Sequence, residues 1–208
     1  LTAADLQQFY NRLKEGGRLL RVEQYGPGLS DRMVKSCHVT CRMALDQAVA
    51  QGLILKNPAD ACKAPVTHPK EMRVLTGEEI QRLLTQGKED GYFELLLLEL
   101  STGLRRGEIL ALWWEDLNFR TGALRVERQI QRIQGNLVIS QPKTRASSRS
   151  ILLPTPVLKT LEQYQQSVTS RWMFPSPRKE DSPLDPAAVR KKLSAVLKRA
   201  GCTAARFH

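Results

Sequence analysis

The sequence predicts a mainly α protein of two lobes, the second of which carries a small antiparallel three-stranded β-sheet. Three observations lead there. Apolar residues recur at helical spacing through residues 2–15, 30–51 and 77–101. After Leu117 the apolar period changes to two. Between the first two helical regions and the third, Lys63 to Leu75 is proline-punctuated and reads as an extended linker. At 208 residues the chain suits one large or two small domains. The bounds that follow are 1–64 for the first lobe, 65–75 for the linker and 76–208 for the second lobe.

Each element has its own signal. Thr2 is placed to cap a first helix, with Leu6, Phe9, Tyr10 and Leu13 on one side. A glycine-rich loop follows through Gly28, and Ser30 starts a long helix to about Gln51. Its inward set is Val34, Cys37, Val39, Cys41, Ala44, Leu45, Ala48 and Val49, and its polar side shows Arg32, Lys35, His38 and Arg42. Gly52 stops it, and Asn57-Pro58 starts a short further element. Thr76-Gly77-Glu78-Glu79 is a capping box that opens the second lobe, with helices at about 77–86 and 90–101. A strand at 123–130, a turn at Gly135-Asn136 and a strand at 137–140 form a hairpin. A basic loop, 142–148, leads to a third strand from Arg149 to Pro154. Pro156 and Asp185-Pro186 begin two further helices, the last running to about Ala200 and closed by Gly201.

Composition narrows the function. A formal charge of +11 and a pI near 9.8 point toward an anionic partner, through counterion release and electrostatic steering. The charge is uneven: from Arg120 to Arg149 there are seven basic residues and only Glu127 on the acidic side. Cys37, Cys41, Cys62 and Cys202 form no Cys-x-x-Cys pair. Cys37 and Cys41 share a helix face with His38 but lack a fourth zinc ligand, so no metal site is expected and reduced intracellular thiols are. No apolar run reaches the length of a membrane span, and no signal peptide is visible. The chain opens abruptly in a helix, so a segment before Leu1 is expected to be missing.

Residues 102–116 are the most informative stretch. They open with a turn, place Arg105 and Arg106 at its exit, and run into an apolar helix anchored by Ile109, Leu110 and Leu112. A cation is poorly placed at a helix start, where the dipole repels it, which implies an anion sharing the site. The row Arg32, Lys35, His38 and Arg42 is either a solvated face or a helix lying in a major groove. Taken alone, Lys143 is a turn lysine in water and His208 a terminal histidine.

Thr102-Gly103-Leu104-Arg105-Arg106-Gly107-Glu108, with the Leu-rich segment and Trp114-Glu115-Asp116 after it, resembles the first arginine box of the tyrosine recombinases, the phage-type integrases. Pro142-Lys143-Thr144, followed by small polar residues and a strand ending in Pro154, resembles their lysine hairpin. Ala205-Arg206-Phe207-His208 resembles the opening of their His-x-x-Arg box. The resemblance covers essentially the whole chain and is strongest to integrases of conjugative transposons and temperate phages. It implies a core-binding domain, a catalytic domain and a two-lobed DNA clamp.

The resemblance also implies roles. Arg105, not Arg106, takes the place of the first catalytic arginine, because Gly107-Glu108 follows it at the family's spacing; Glu108 is its acidic support. Arg105 would stabilise the charge on the phosphate. Lys143 would protonate the departing 5′-oxygen, and His208 would bind the phosphate or assist proton movement. The reaction is metal-free and cofactor-free: a tyrosine attacks the scissile phosphate, leaves a 3′-phosphotyrosine, and a partner strand's hydroxyl reverses the step. Arg32, Lys35, His38, Arg42, Arg106, Arg128, Arg132, Arg145 and Arg149 are the expected DNA contacts. The implied partners are duplex recombination sites, a homo-tetramer in the synaptic complex and an accessory DNA-bending or excision factor. The implied location is the bacterial cytoplasm, at the nucleoid, with no membrane.

The second arginine, the later His or Trp and the nucleophilic tyrosine lie beyond residue 208 in such proteins. None of Tyr10, Tyr25, Tyr92 and Tyr164 matches the nucleophile, so residues 1–208 alone are not expected to cleave DNA. Two alternatives remain: a type IB topoisomerase-like enzyme, and a non-catalytic DNA-binding regulator on the same scaffold.

Overall fold

The computed structural model describes residues 1–67, 73–141 and 148–202. The chain divides into two compact units, Leu1–Glu71 and Met72–His208, each with its own hydrophobic core. Among the described residues, no helix is long and apolar enough to cross a membrane.

In the first unit α1 (Ala3–Gly16) starts at a capping box: the Thr2 hydroxyl accepts from the Asp5 N–H, and the Asp5 carboxylate accepts from the Thr2 N–H. The glycine-rich loop contains one short helix, α2 (Val22–Tyr25), that the sequence did not signal. Then comes α3 (Asp31–Ala50); Ser30 occupies its cap position without a side-chain bond. A single 3₁₀ turn, Pro58–Ala61, follows. Asn57 fastens this turn to α3: its Oδ1 accepts from Ala59 N–H, while Nδ2 donates to Arg42 O at 3.0 Å and Asp46 Oδ1 at 2.7 Å. Leu6, Tyr10, Val34 and Ala59 form the core, flanked by Leu13, Leu29, Cys41, Leu45 and Cys62.

Two residues expected to face inward on α3, Val39 and Ala44, are exposed, and His38, expected on its polar side, is half-buried. The inward stripe runs Val34, Cys37/His38, Cys41, Leu45, Ala48, at three- and four-residue steps. Val39, five residues from Val34, falls on the far side of a 3.6-residue helix. His38 stands edge-on to the Tyr10 ring, centroids 5.4 Å apart.

The second unit opens with α4 (Gly77–Glu89), whose Thr76/Glu79 capping box forms in both directions. Next is α5 (Phe93–Thr102), ended by Gly103 in the left-handed conformation at φ 62°. The apolar helix expected after the arginines is one turn only, α6 (Arg106–Ile109). Leu104, Ile109, Leu110, Ala111 and Leu112 are all buried. A run that is apolar all round has no helical stripe to preserve. Past Leu110 the chain turns into an isolated bridge between Trp113 and Trp172 and a 3₁₀ turn, Trp114–Asp116.

The strands are β1 (Leu117–Asn118), β2 (Ala123–Val126), β3 (Gln129–Ile133), β4 (Asn136–Ser140) and β5 (Arg149–Leu152). The antiparallel three-stranded sheet is there, with order β1-β2-β5, but its membership differs from the expectation: β3 and β4 form a separate two-stranded hairpin. The expected strand 123–130 breaks at Glu127-Arg128, and β5 pairs along β2 from Ala123↔Leu152 to Val126↔Arg149. The hairpin turn is Gln134-Gly135 rather than Gly135-Asn136, since Ile133 pairs with Asn136. Both turn residues have positive φ, 48° and 84°, as a two-residue turn matched to strand twist requires. Two helices complete the unit, α7 (Thr155–Gln165) and α8 (Pro186–Arg199). Asp185 caps α8 by accepting from the Ala187 and Ala188 N–H groups.

Candidate active site in the second unit

Local chemistry builds the arginine turn. Gly103 donates its N–H to Glu99 O at 2.7 Å and reverses the chain in the left-handed region, where a side chain is strained. Leu104, wholly buried, anchors the next position and leaves Arg105 at the surface. Gly107 lets α6 lie directly on β3: a Cβ there would stand 2.6 Å from the Ile130 carbonyl oxygen. The one-turn length of α6 removes most of the dipole argument made from sequence, because few peptide dipoles are aligned behind Arg105. A carboxylate holds this arginine instead.

Glu108 is that carboxylate, 3% exposed. Its Oε2 accepts the Arg105 backbone N–H at 3.0 Å and Arg149 Nη2 at 2.9 Å. Its Oε1 accepts Arg105 Nη1 at 3.1 Å and Arg149 Nη1 at 3.2 Å. Burial by itself would raise the Glu108 carboxyl, but the Arg149 hydrogen bonds, the Arg105 N–H and the two guanidinium groups reverse this and hold it below the ordinary range. The same bonds raise Arg149. The Arg105 side chain is 73% exposed, so only one edge of its fork is engaged and the other faces outward.

The structure separates the basic residues expected to contact DNA. In the first unit Arg32, Lys35 and Arg42 are exposed; Arg42 also pairs with Asp60 at 2.9 Å, and His38 turns toward Tyr10. In the second, Arg106 is half-buried, and Arg132 donates to Gly135 O and pairs with Asp185. Arg128 is turned inward. Its Nη2 lies 2.5 and 2.6 Å from the two oxygens of buried Asp116, and its guanidinium stacks 3.7 Å from the Trp113 ring centroid. Arg149 is turned inward onto Glu108. Lys143, Arg145 and His208 lie outside the described residues.

Sequence reasoning missed the inward roles of Arg128 and Arg149, although the signal was available. Strand period puts Leu124, Val126, Arg128 and Ile130 on one parity, and Arg149, Ile151 and Leu153 on another inward parity. A cation continuing an apolar parity needs a buried counter-charge. Asp116 and Glu108 are those counter-charges.

Three of the four tyrosines have raised hydroxyls. Burial pushes the Tyr10 hydroxyl up to about 12, with Cys41, Cys62 and Cys37 adding to the shift. Burial also pushes Tyr164 up to about 12 and raises Tyr92. Tyr25 is exposed, on α2 of the first unit.

A model described as the phage integrase family matches residues 73–208. The tyrosine recombinase XerC-like protein of Caldanaerobacter subterraneus subsp. tengcongensis is 26% identical over 238 residues, covering 100% of this chain and 58% of its own length. Among solved structures, the Tn1549 transposon integrase in complex with transposon right end DNA superposes at a TM-score of 0.80. It is 19% identical, with 96% of this chain and 64% of that one covered. A lambda integrase tetramer bound to a Holliday junction superposes at 0.64 with 19% identity, covering 97% of this chain and 51% of that one. The chain thus spans less than two thirds of each of these proteins.

Proposed function

Because this chain belongs to the phage integrase family, we propose that it forms part of a tyrosine recombinase that integrates or excises a mobile element. Cleavage and rejoining of duplex DNA proceed through a 3′-phosphotyrosine. The observation that carries the reading is the state of Arg105: backbone and one Nη pinned to a buried carboxylate, the remaining edge of the fork exposed. Such a guanidinium is pre-set to take two oxygens of a phosphate and to hold the charge that grows on them during attack. Lys143 lies in the segment joining β4 to β5 and supplies the proton to the leaving 5′-oxygen; His208 completes the phosphate contacts. Charge on the first unit, at Arg32, Lys35 and Arg42, binds the DNA backbone.

The nucleophile is not one of the four tyrosines in residues 1–208, none of which stands at the position the family's nucleophile takes. A chain ending at His208 therefore binds DNA without cutting it. Four copies act on two duplexes in the bacterial cytoplasm, at the nucleoid, with an accessory DNA-bending or excision factor.

The test is capture of covalent complexes. The natural polypeptide containing this sequence is incubated with a duplex library of random sequence, and DNA joined to protein is recovered and sequenced. The expected result is protein on a 3′-phosphate at one recurrent site, with Arg105→Ala slower by at least ~10²-fold and Arg105→Lys failing too, since it keeps charge but loses the fork. Absence of adducts, or wild-type yield from Arg105→Ala, would overturn the reading.

A further inference from the structure

We propose that Arg149 is a positioning residue for Arg105, acting through Glu108, so that β5 and the arginine turn are set as one unit. The inference rests on the reading of Arg105 above. Arg149 opens β5 opposite Val126 of β2 and shares its parity with Ile151 and Leu153, so its side chain runs under the strand. Its two Nη atoms each give one hydrogen bond to Glu108, one per carboxylate oxygen, at 3.2 and 2.9 Å. The same two oxygens take the Arg105 N–H and Nη1.

One buried carboxylate is therefore shared by two guanidinium groups of unequal exposure, 33% for the Arg149 side chain and 73% for Arg105. The shared arrangement sets what Arg105 has left to offer. With Arg149 filling half of its acceptor sites, Glu108 holds Arg105 by its backbone and a single Nη. Without Arg149, the buried carboxylate keeps only its two bonds from Arg105, and the exposed Arg105 side chain is the cation within reach of the acceptor sites left empty. Arg105 then closes a fork of its own onto Glu108 and withdraws donors from the phosphate.

The experiment uses the natural polypeptide in single-turnover cleavage of the duplex recovered in the covalent complexes. A second duplex carries a neutral methylphosphonate at the scissile position. On the ordinary phosphate, Arg149→Ala is expected to slow cleavage by about 10²-fold, the scale of a displaced catalytic group. Affinity for uncleaved DNA and its salt slope should stay at wild-type values, because Arg149 is not a phosphate contact. On the methylphosphonate, the charge that Arg105 neutralises is absent, so the deficits of Arg149→Ala and Arg105→Ala should shrink together. Arg149→Lys, which keeps the buried charge but not the fork, should fold as wild type and show the same substrate dependence to a smaller degree.

An Arg149→Ala deficit equal on both substrates would mark a merely structural residue and overturn the proposal. So would weakened binding with a lower salt slope, which would make Arg149 a DNA contact. An Arg105→Ala deficit equal on both substrates would instead refute the role of Arg105, and the proposal would fall with it.

Discussion

Replacing Glu108 by Gln tests how much of the second unit's stability hangs on one side chain. Glu108 accepts four hydrogen bonds, three of them from guanidinium nitrogens. Gln keeps the shape, but turns one oxygen into an NH₂ group that faces arginine donors. Two accepted bonds are lost, and the buried position no longer neutralises Arg149. The bond to the Arg105 side chain, 73% exposed, counts for little because water competes for it. The Arg149 pair carries most of the effect. At 1.5–3 kcal/mol for a bond to a charged group, the loss is about 3 kcal/mol, in line with breaking a buried ion pair. For a unit of this size that lowers Tm by about 10 °C.

The pH dependence follows from the lowered Glu108 carboxyl. A carboxylate whose folded pKa lies below its unfolded value, about 4.3, contributes stability that is fully present above that value. The contribution disappears as pH falls through the folded pKa. The gap between wild type and Glu108→Gln should thus be widest at neutral pH and close in acid. Thermal unfolding followed by circular dichroism from pH 7 to pH 3 measures it. A shift under about 2 °C at pH 7, or a gap that does not narrow in acid, would refute the argument.

Two other outcomes are expected. Gly107→Ala should lower Tm by several degrees despite alanine's better helix propensity, because the added Cβ meets a backbone oxygen of β3 at 2.6 Å and overpacking costs about 1–3 kcal/mol; a higher Tm would show that α6 does not sit on β3. Arg42→Ala should weaken duplex binding and reduce the slope of log K against log salt by about one, read from fluorescence anisotropy at several salt concentrations. An unchanged slope would leave Arg42 as a solvated partner of Asp60.

Much of this architecture was legible residue by residue. The starts of α1 and α4 at Thr2 and Thr76 and the start of α8 at Asp185-Pro186 were read from spacing, because a cap is an interaction within about four residues. The arginine turn was legible as a turn for the same reason, whereas the choice of Arg105 over Arg106 and Glu108 as its acidic support came from the family resemblance. What followed the turn was not. Ile109 to Trp114 is apolar on every side, and neither period distinguishes a helix from a buried irregular run.

By itself, then, the sequence determined where helices begin, that two units exist, and that a basic chain carries an arginine, a lysine and a histidine in one family's order. Only the tertiary structure decided which carboxylate each arginine meets and how much of each guanidinium stays exposed. Strand parity marks Arg128 and Arg149 as inward candidates, but no spacing rule names the carboxylate that each one reaches. Arg149 meets Glu108 from 41 residues away, and Arg128 meets Asp116 from 12 residues away with β1 and β2 between them. Such pairs form only once the β1-β2-β5 sheet has brought distant backbone together, and a buried carboxylate then selects the guanidinium that can reach it.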